Sequence, residues 1–136
     1  MTENKLIQAA KEAMGQAYAP YSGYFVGAAV ETEDGAIYTG CNVENASYSA
    51  TNCAERTAIF KAVSEGHRKI KAVAVCGGKE GNITGLFPPC GVCRQVMAEF
   101  CDPQTPVYLI GRDSELKTLS LKELLPYGFD SSAMEG

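Results

Sequence analysis

Three of the six cysteines have spacings that suit metal binding. Cys90 and Cys93 form a C-x-x-C pair directly after Pro89, a residue favoured in the first turn of a helix. Such a pair serves either as a redox dithiol or as two ligands of a metal, and the pair alone does not distinguish them. Cys53 lies at the start of another predicted helix, and a third thiolate at the same point favours zinc. With three protein ligands, the fourth position is left for water, as in a catalytic zinc site.

The other three cysteines bear on whether the zinc site is catalytic or structural. A closed structural site would take its fourth ligand from Cys41, Cys76 or Cys101. None of these has a partner at ligand spacing, and Cys76 and Cys101 end predicted elements, as small buried hydrophobic residues often do. The alternative from a different functional class is a non-catalytic zinc or redox module. It needs a fourth cysteine at the metal or a reversible disulfide between Cys90 and Cys93.

Glu55 is the candidate proton carrier beside this metal site. The single histidine, His67, lies just beyond a predicted helix end, where interaction with the helix dipole explains it, so a histidine base is not expected. A carboxylate next to a zinc-bound water can accept the water proton and pass it on. Asn52 and Glu55 also match the N-cap and N3 positions of a capping box, so a structural role for Glu55 stays open from the sequence.

Two arginines are candidates for balancing the charge of the site. Three thiolates and a hydroxide around Zn2+ leave an excess of negative charge, which weakens the Lewis acidity of the metal. Arg56 and Arg94 each neighbour a candidate ligand and could donate N–H groups to sulfur, with Arg56 favoured. For either arginine, the alternative is a solvated or ion-paired surface residue.

Hydrophobic spacing and turn signals indicate the elements that position these residues. Helices are predicted over 3–17, from after Asn52 to Gly66, over 90–100, and through Leu125 after a capping box of Ser120 and Glu123. Strands are predicted over 24–31, through 37–38, and over 70–76, 107–110 and 116–119, with an Asp34-Gly35 turn closing a hairpin and a glycine-rich loop from Gly77. The strand–helix alternation after the hairpin predicts parallel pairing. The fold class is α/β, a single mixed sheet with helices on its faces.

Length and charge limit the classes of function. The 136 residues fit one domain, 1–136, with a loose polar tail from about residue 130. No segment has the ~20 apolar residues of a membrane span, and the N-terminus lacks the apolar stretch of a signal peptide, so a cytoplasmic location with reduced thiols is expected. With 16 acidic against 12 basic residues, the chain lacks the basic surface that a nucleic-acid polymer requires.

Five separated motifs occur in one order along the chain: YAPYS at 18–22, FVGA at 25–28, CNVENASY at 41–48, CAER at 53–56 and PCGVCRQ at 89–95. Together they resemble the small homotetrameric, zinc-dependent cytidine deaminases. The likeness runs from the first helix to Phe129. It implies a three-layer α/β/α sandwich with one mixed five-stranded sheet. It also implies an enzyme of pyrimidine salvage that hydrolyses cytidine and deoxycytidine to the uridines and ammonia.

The same resemblance implies roles for the metal-site residues. Cys53, Cys90 and Cys93 would bind one zinc ion per subunit, and zinc-bound hydroxide would attack C4 of the base. Glu55 would carry protons from the water to the ring nitrogen and then to the departing amine.

Substrate contacts are implied by the resemblance as well. Asn42 and Glu44 would hydrogen-bond the ribose hydroxyls, and Phe25 would pack against the base. The backbone of Ala54 and of Pro88 or Pro89 would bind the polar edge of the base. In the homotetramer, Tyr48 and Phe129 would reach the site of a neighbouring subunit.

Two related enzymes share the zinc motif: a deaminase of a cytosine-bearing antibiotic nucleoside, of the blasticidin type, and an enzyme that edits single-stranded nucleic acid. Arg56, Asn42 and Glu44 favour the metabolic nucleoside deaminase over the first. The absence of a basic stripe interleaved with aromatic residues disfavours the second.

Overall fold

The computed structural model describes residues 2–134 of the chain. These residues contain four α-helices and five strands. The helices are α1 (Thr2–Met14), α2 (Ala54–Ser64), α3 (Gly91–Phe100) and α4 (Leu121–Leu124). The strands are β1 (Tyr24–Thr32), β2 (Ile37–Cys41), β3 (Ile70–Lys79), β4 (Pro106–Ile110) and β5 (Leu116–Ser120). Short 3-10 helices cover Tyr48–Ala50, Arg112–Ser114 and Ser131–Met134.

The five strands form one mixed sheet in the order β2-β1-β3-β4-β5. β1 pairs antiparallel with both β2 and β3, β3 pairs parallel with β4, and β5 pairs antiparallel with β4 at the edge. The predicted hairpin, edge strand and parallel pairing are confirmed. The parallel pairing is confined to β3 and β4, because β1 lies between β2 and β3.

Helices cover both faces of this sheet. Leu6, Ala10 and Met14 of α1 pack with small residues of β1 and β3 on one face. Ile59 of α2 and Met97 of α3 pack on the opposite face, against valines of β1, β3 and β4. The arrangement confirms the predicted three-layer α/β/α sandwich.

Gly40 of β2 allows α2 to pack closely on the sheet. A Cβ atom at this position would lie 2.5 Å from the backbone nitrogen of Ala58 and 2.6 Å from the backbone oxygen of Ala54. Backbone atoms cannot move aside as a side chain can, so the close approach of α2 requires glycine here. Gly27 of β1 plays the same part for α1, since its Cβ would lie 2.2 Å from the Ala10 oxygen.

The strand directions bring the starts of α2 and α3 to one edge of the sheet, namely the edge formed by the carboxyl ends of β2 and β3. β2 and β3 are both antiparallel to β1, so they run in the same direction. Each is followed by a loop and then by a helix, so both helices begin beyond the same edge. β1 begins there too, because Tyr24 pairs with Lys79 at the end of β3. Three chain segments therefore meet at this edge.

Several boundaries differ from the sequence-based expectations. Gly77 and Gly78, predicted as loop, belong to β3, where they pair with residues of β1. α1 ends at Met14, because the N–H groups of Gly15, Gln16 and Ala17 make three turn hydrogen bonds to carbonyls three residues earlier in place of the helical pattern. Within the expected polar tail, Ser131–Met134 forms a 3-10 helix, and 135–136 lie outside the described residues.

The capping box at α4 is confirmed. The Glu123 N–H donates to Ser120 Oγ at 3.1 Å, and the Ser120 N–H donates to Glu123 Oε1 at 2.8 Å. Within residues 2–134, no helix combines the length and the apolar character needed to cross a membrane.

Candidate functional site

The sulfur atoms of Cys53, Cys90 and Cys93 form one cluster at this edge of the sheet. Cys53 is the N-cap of α2, Cys90 is the N-cap of α3, and Cys93 lies in the first turn of α3. The Sγ–Sγ distance is 3.5 Å from Cys53 to Cys90 and 3.5 Å from Cys90 to Cys93, and all three sulfurs lie within 4.8 Å of one another. Tetrahedral zinc with bonds of about 2.3 Å separates two sulfur ligands by roughly 3.8 Å, so the cluster fits this metal.

The cluster contains three sulfurs and no fourth cysteine. Among residues 2–134, no other group of three or more histidine, cysteine or acidic side chains comes together as closely. Burial raises the pKa of Cys76 to about 11 and that of Cys101 to about 12, so both stay protonated thiols at neutral pH. The thiol of Cys41 donates to the carbonyl of Gln16 at 3.4 Å. Three ligands without a fourth leave a position open, as in a catalytic zinc site.

Arg56 stabilises negative charge at the cluster. Its Nη2 donates to the Cys53 sulfur at 3.2 Å, which is the contact that the sequence favoured. Hydrogen bonds from Cys93 and Arg56 lower the pKa of Cys53 to about 5 against the opposing effect of burial. Burial disfavours the charged guanidinium, but hydrogen bonds to Cys53 and Cys93 outweigh it and raise the pKa of Arg56. Arg56 therefore favours the thiolate form of Cys53, the form that binds metal, whereas the hydrogen bond with Cys53 and burial raise the pKa of Cys93.

Arg94 contacts carbonyl groups. Its Nε donates to the Pro89 oxygen at 2.8 Å, and its Nη1 donates to the Leu124 oxygen at 2.7 Å. These bonds tie the residue that precedes the C-x-x-C pair to α4. Arg94 is thus a tether for the start of α3.

Glu55 lies beside the cluster with only 3% of its surface exposed. The pKa of this carboxyl group is raised to about 7, chiefly by burial and also by the neighbouring Cys53, while a backbone hydrogen bond and Arg56 act in the opposite direction. A carboxyl group that titrates near neutrality can both accept and donate a proton.

The capping box that the sequence allowed at Asn52 and Glu55 does not form. The N-cap of α2 is Cys53, one residue later, and its side chain makes no capping hydrogen bond. The Asn52 side chain reaches past the N-cap, and its Nδ2 donates to Thr57 Oγ1 at 3.1 Å. Glu55 therefore does not occupy the position that a capping box requires.

A cavity of about 220 Å³ opens next to the cluster. Its lining comes from the start of β1, the loop after β2, the start of α2 and the segment before α3, and includes Ser22, Tyr24, Val26, Asn42, Glu44, Asn52, Ala54, Glu55, Phe87, Pro88 and Cys90. Another opening of about 320 Å³ adjoins it, shares Ser22, Glu44 and Thr51 with it, and adds Tyr21 and Tyr48.

Asn42 is buried at the side of this cavity. Its Oδ1 accepts the Val26 N–H at 2.9 Å, and its Nδ2 donates to the Tyr24 oxygen at 2.8 Å. The amide thus fixes the loop after β2 to the first residues of β1.

Glu44 is held by the segment that precedes β1. Its Oε1 accepts the backbone N–H groups of Tyr21 and Ser22, each at 3.0 Å. Hydrogen bonds from Ser22 and Tyr21 hold the pKa of Glu44 below its usual range, against a smaller effect of desolvation. An ionised carboxylate with acceptor capacity therefore faces the cavity.

Phe25 does not line the cavity, so its expected contact with a base is not supported. Successive residues of a strand point to opposite faces, and Phe25 packs against the core cluster on the face that α1 covers. Tyr24 and Val26 line the cavity in its place, and the ring centroid of Tyr24 lies 6.3 Å from that of Phe87. Tyr24 and Val26 are two residues apart and share one face of β1, but β1 is buried on both faces from Val26 onwards, so no alternation of polar and apolar residues marks that face in the sequence.

The remaining substrate residues named from the sequence occupy different places. Ala54 is fully buried and lines the cavity. Pro88 lines it too, whereas Pro89 is buried and its carbonyl accepts from Arg94.

Tyr48 and Phe129 are both exposed, by 77% and 60%. Tyr48 borders the adjoining opening and makes an edge contact with Tyr21. Phe129 is fixed through its backbone, whose carbonyl accepts from Gln95 Nε2 at 2.7 Å, and its side chain does not line either opening.

His67 lies away from the cavity. Its Nδ1 lies 3.3 Å from an Asp34 carboxylate oxygen, and its ring packs on Tyr38. At the end of α2, the His67 backbone N–H donates to the Ala62 carbonyl at 3.0 Å, and Arg68 Nη1 donates to the Val63 carbonyl at 2.6 Å. His67 joins α2 to the hairpin turn and has no place in the site.

Comparisons with known proteins agree with this geometry. Residues 1–109 match the family described as "Cytidine and deoxycytidylate deaminase zinc-binding region". The cytidine deaminase of Sporosarcina psychrophila is 53% identical over 129 residues, which cover 95% of this chain and 92% of that protein. The cytidine deaminase of Halalkalibacterium halodurans is 47% identical over 134 residues, with 98% of both chains covered.

A solved structure shares the fold as well as the sequence. The crystal structure of cytidine deaminase from Burkholderia pseudomallei superposes with a TM-score of 0.86 at 48% identity, covering 95% of this chain and all of that one. The family match, the relatives along nearly the whole length and the common fold show that the chain belongs to the cytidine and deoxycytidylate deaminase family.

Proposed function

We propose that this chain hydrolyses cytidine and deoxycytidine to uridine and deoxyuridine with release of ammonia. The observation that carries the proposal is the convergence of three thiols, a buried carboxyl group and two sugar-binding candidates on one cavity. Relatives that cover nearly the whole chain are cytidine deaminases, which supports the same substrate here.

Cys53, Cys90 and Cys93 would hold one zinc ion per chain. Their sulfur separations suit the metal, and thiolate ligands are those that zinc prefers. When bound, zinc supplies a Lewis acid that activates water for attack on C4 of the base.

Glu55 carries the protons. It accepts one proton from the attacking water and delivers it to N3 of the cytosine ring, then takes the proton of the new hydroxyl group at C4 and delivers it to the 4-amino group, which leaves as ammonia while the C4 carbonyl forms. Its burial next to the cluster and its place in the cavity lining support this role. Water adds to the base and ammonia departs, so the carboxyl group ends the cycle in its starting state.

Arg56 partly neutralises the thiolate charge, because its N–H group donates to the Cys53 sulfur. A donor on a thiolate withdraws electron density from it, so the metal retains more of its positive character.

The cavity residues orient the nucleoside. Glu44 accepts a sugar hydroxyl, Asn42 is the second sugar contact, and Tyr24 and Phe87 form an apolar wall for the base. Backbone groups at Ala54 and Pro88 face the polar edge of the base. A sugar without its hydroxyl would leave an acceptor site of Glu44 unpaired once the nucleoside covers it, which makes these contacts selective.

The assembly that we infer is a homotetramer in which Tyr48 and Phe129 complete the site of a neighbouring subunit. Two large aromatic side chains exposed this far support an interface. The working compartment is the cytoplasm, where the three thiols stay reduced, and the reaction serves pyrimidine salvage.

The experiment that tests the proposal is a turnover assay with identified products. Cytidine and deoxycytidine should both give the uridine nucleoside and one ammonia each. Turnover of a cytosine-bearing antibiotic nucleoside without turnover of cytidine would replace this function with that of the antibiotic-inactivating enzymes. Metal-loaded protein that leaves every cytosine nucleoside unchanged would refute a deaminase altogether.

A further inference from the structure

Ser22 connects the two sides of the cavity through a single hydroxyl group. Its Oγ accepts the Tyr24 N–H at 3.0 Å and donates to Oε2 of Glu44 through a short hydrogen bond. A hydroxyl group has one proton, and here that proton points to the carboxylate. Ser22 itself lines the cavity between these two residues.

Hydrogen bonds within the chain leave Glu44 one acceptor site. A carboxylate offers about four lone-pair sites. Oε1 uses two of them for the N–H groups of Tyr21 and Ser22, and Oε2 uses one for the Ser22 hydroxyl. The acceptor site that is left belongs to Oε2, the oxygen whose position the hydroxyl determines.

The backbone N–H groups cannot fix Glu44 by themselves. Both donate to Oε1, so without the Ser22 hydroxyl the carboxylate could turn about that oxygen. The same loss would free the Tyr24 N–H, which starts β1 and carries the aromatic ring of the cavity wall. One side chain thus controls a polar and an apolar part of the cavity.

We propose that Ser22 is a positioning residue for nucleoside binding, whose hydroxyl aims Oε2 of Glu44 at a sugar hydroxyl and holds Tyr24 against the base. The inference rests on the proposed function, because it takes a cytosine nucleoside as the occupant of the cavity. The proton-carrying Glu55 and the sulfur cluster belong to α2 and α3, so Ser22 acts on binding and leaves the chemical step to them.

The test compares three variants. Ser22→Ala should raise KM for cytidine by about tenfold, the lower range for a hydrogen bond to a charged group, while kcat stays within about twofold. Ser22→Thr keeps the hydroxyl and should restore KM. Ser64→Ala is the matched control, because it removes a serine hydroxyl that donates to the Lys61 carbonyl at 2.8 Å at the far end of α2. Zinc content and melting temperature should match the wild type in all three.

Binding of uridine, measured by titration calorimetry, provides a readout that does not depend on turnover. Its Kd should rise in Ser22→Ala and return in Ser22→Thr. Equal Kd values for the wild type and Ser22→Ala would overturn the inference, as would a fall in kcat with KM unchanged. Absence of cytidine turnover in the zinc-loaded wild type would reject the proposed function. Even then, a loss of uridine binding in Ser22→Ala that Ser64→Ala does not show would support the role of Ser22.

Truncated sugars separate the Glu44 part of this role from the Tyr24 part. One of the two analogues, 2′-deoxycytidine or 3′-deoxycytidine, lacks the sugar hydroxyl that donates to Glu44. With that analogue, the rise in KM caused by Ser22→Ala should be clearly smaller than with cytidine. If Ser22→Ala raised KM by the same factor for cytidine and for both analogues, the Ser22 hydroxyl would not act through Glu44. That result would contradict the inference.

Discussion

The guanidinium of Arg56 lies one helical turn beyond Cys53 and donates to its sulfur at 3.2 Å. Both residues belong to the start of α2, so the contact is fixed by local helix geometry and does not depend on the rest of the fold. The hydrogen bond places a positive charge against the ligand that α2 contributes to the cluster.

Removal of this guanidinium should weaken metal binding. Arg56→Ala is expected to lower zinc affinity by about 10-fold to 100-fold, the usual effect of losing a partner of a metal ligand. Arg56→Lys should recover only part of it, because an ammonium group has a different donor geometry. Competition with a chromophoric chelator measures the affinity. Arg68→Ala, at the other end of α2, is the control and should change nothing; equal losses in both variants would argue against a specific contact.

Glu55→Gln should keep the fold and the zinc but lose most of the turnover. The amide is nearly the same size as the carboxyl group but cannot carry protons, and general acid–base catalysis is worth about 10²-fold to 10⁴-fold. Steady-state kinetics on protein of measured zinc content provides the value. Substantial remaining activity would mean that Glu55 has only a structural role.

Substitutions of the cysteines should distinguish the zinc ligands from the cysteines that do not bind the metal. Cys53→Ser, Cys90→Ser and Cys93→Ser are each expected to reduce zinc content, because serine is a poor ligand for this metal. Cys41→Ser, which changes a half-buried thiol on the carbonyl of Gln16, should retain full metal content. Loss of zinc from folded Cys41→Ser, Cys76→Ser or Cys101→Ser would contradict the three-ligand assignment.

Gly40→Ala should destabilise the protein through α2. The new Cβ would lie within 2.6 Å of two α2 backbone atoms, and forcing extra atoms into a packed core costs about 1–3 kcal/mol. The melting temperature and the free energy of unfolding measure the effect. Gly85→Ala is the control, since nothing lies within 4 Å of its Cβ. Equal stability of the two variants would show that α2 shifts without cost.

The sequence predicted much of the fold because hydrophobic period, turn chemistry and capping residues act locally. The hairpin at Asp34-Gly35 and the capping box at Ser120 are confirmed for that reason. Gly77 and Gly78 lie in β3 because sheet pairing overrides a weak local preference for loop.

The candidate site was less predictable from local pattern. The cluster of three cysteines depends on two helices that begin at one sheet edge, which the spacing of Cys90 and Cys93 signals only in part. The family resemblance implies Phe25 as the base contact, whereas Tyr24 lines the cavity, because a shift of one residue exchanges the two faces of the sheet. The contact of Ser22 with Glu44 depends on tertiary geometry and has no local signal, whereas Asn52 hydrogen-bonds to Thr57 at the start of α2 in place of the capping box that the sequence allowed.

The central claim is that the three-cysteine cluster is a catalytic zinc centre. The most direct measurement is a titration of zinc-free protein with zinc in which bound metal and cytidine turnover are followed in the same sample. Turnover should rise in proportion to bound zinc and reach its plateau at about one zinc ion per chain, as three ligands in one cluster require. Full turnover in zinc-free protein, or one bound zinc per chain with no turnover, would contradict the account.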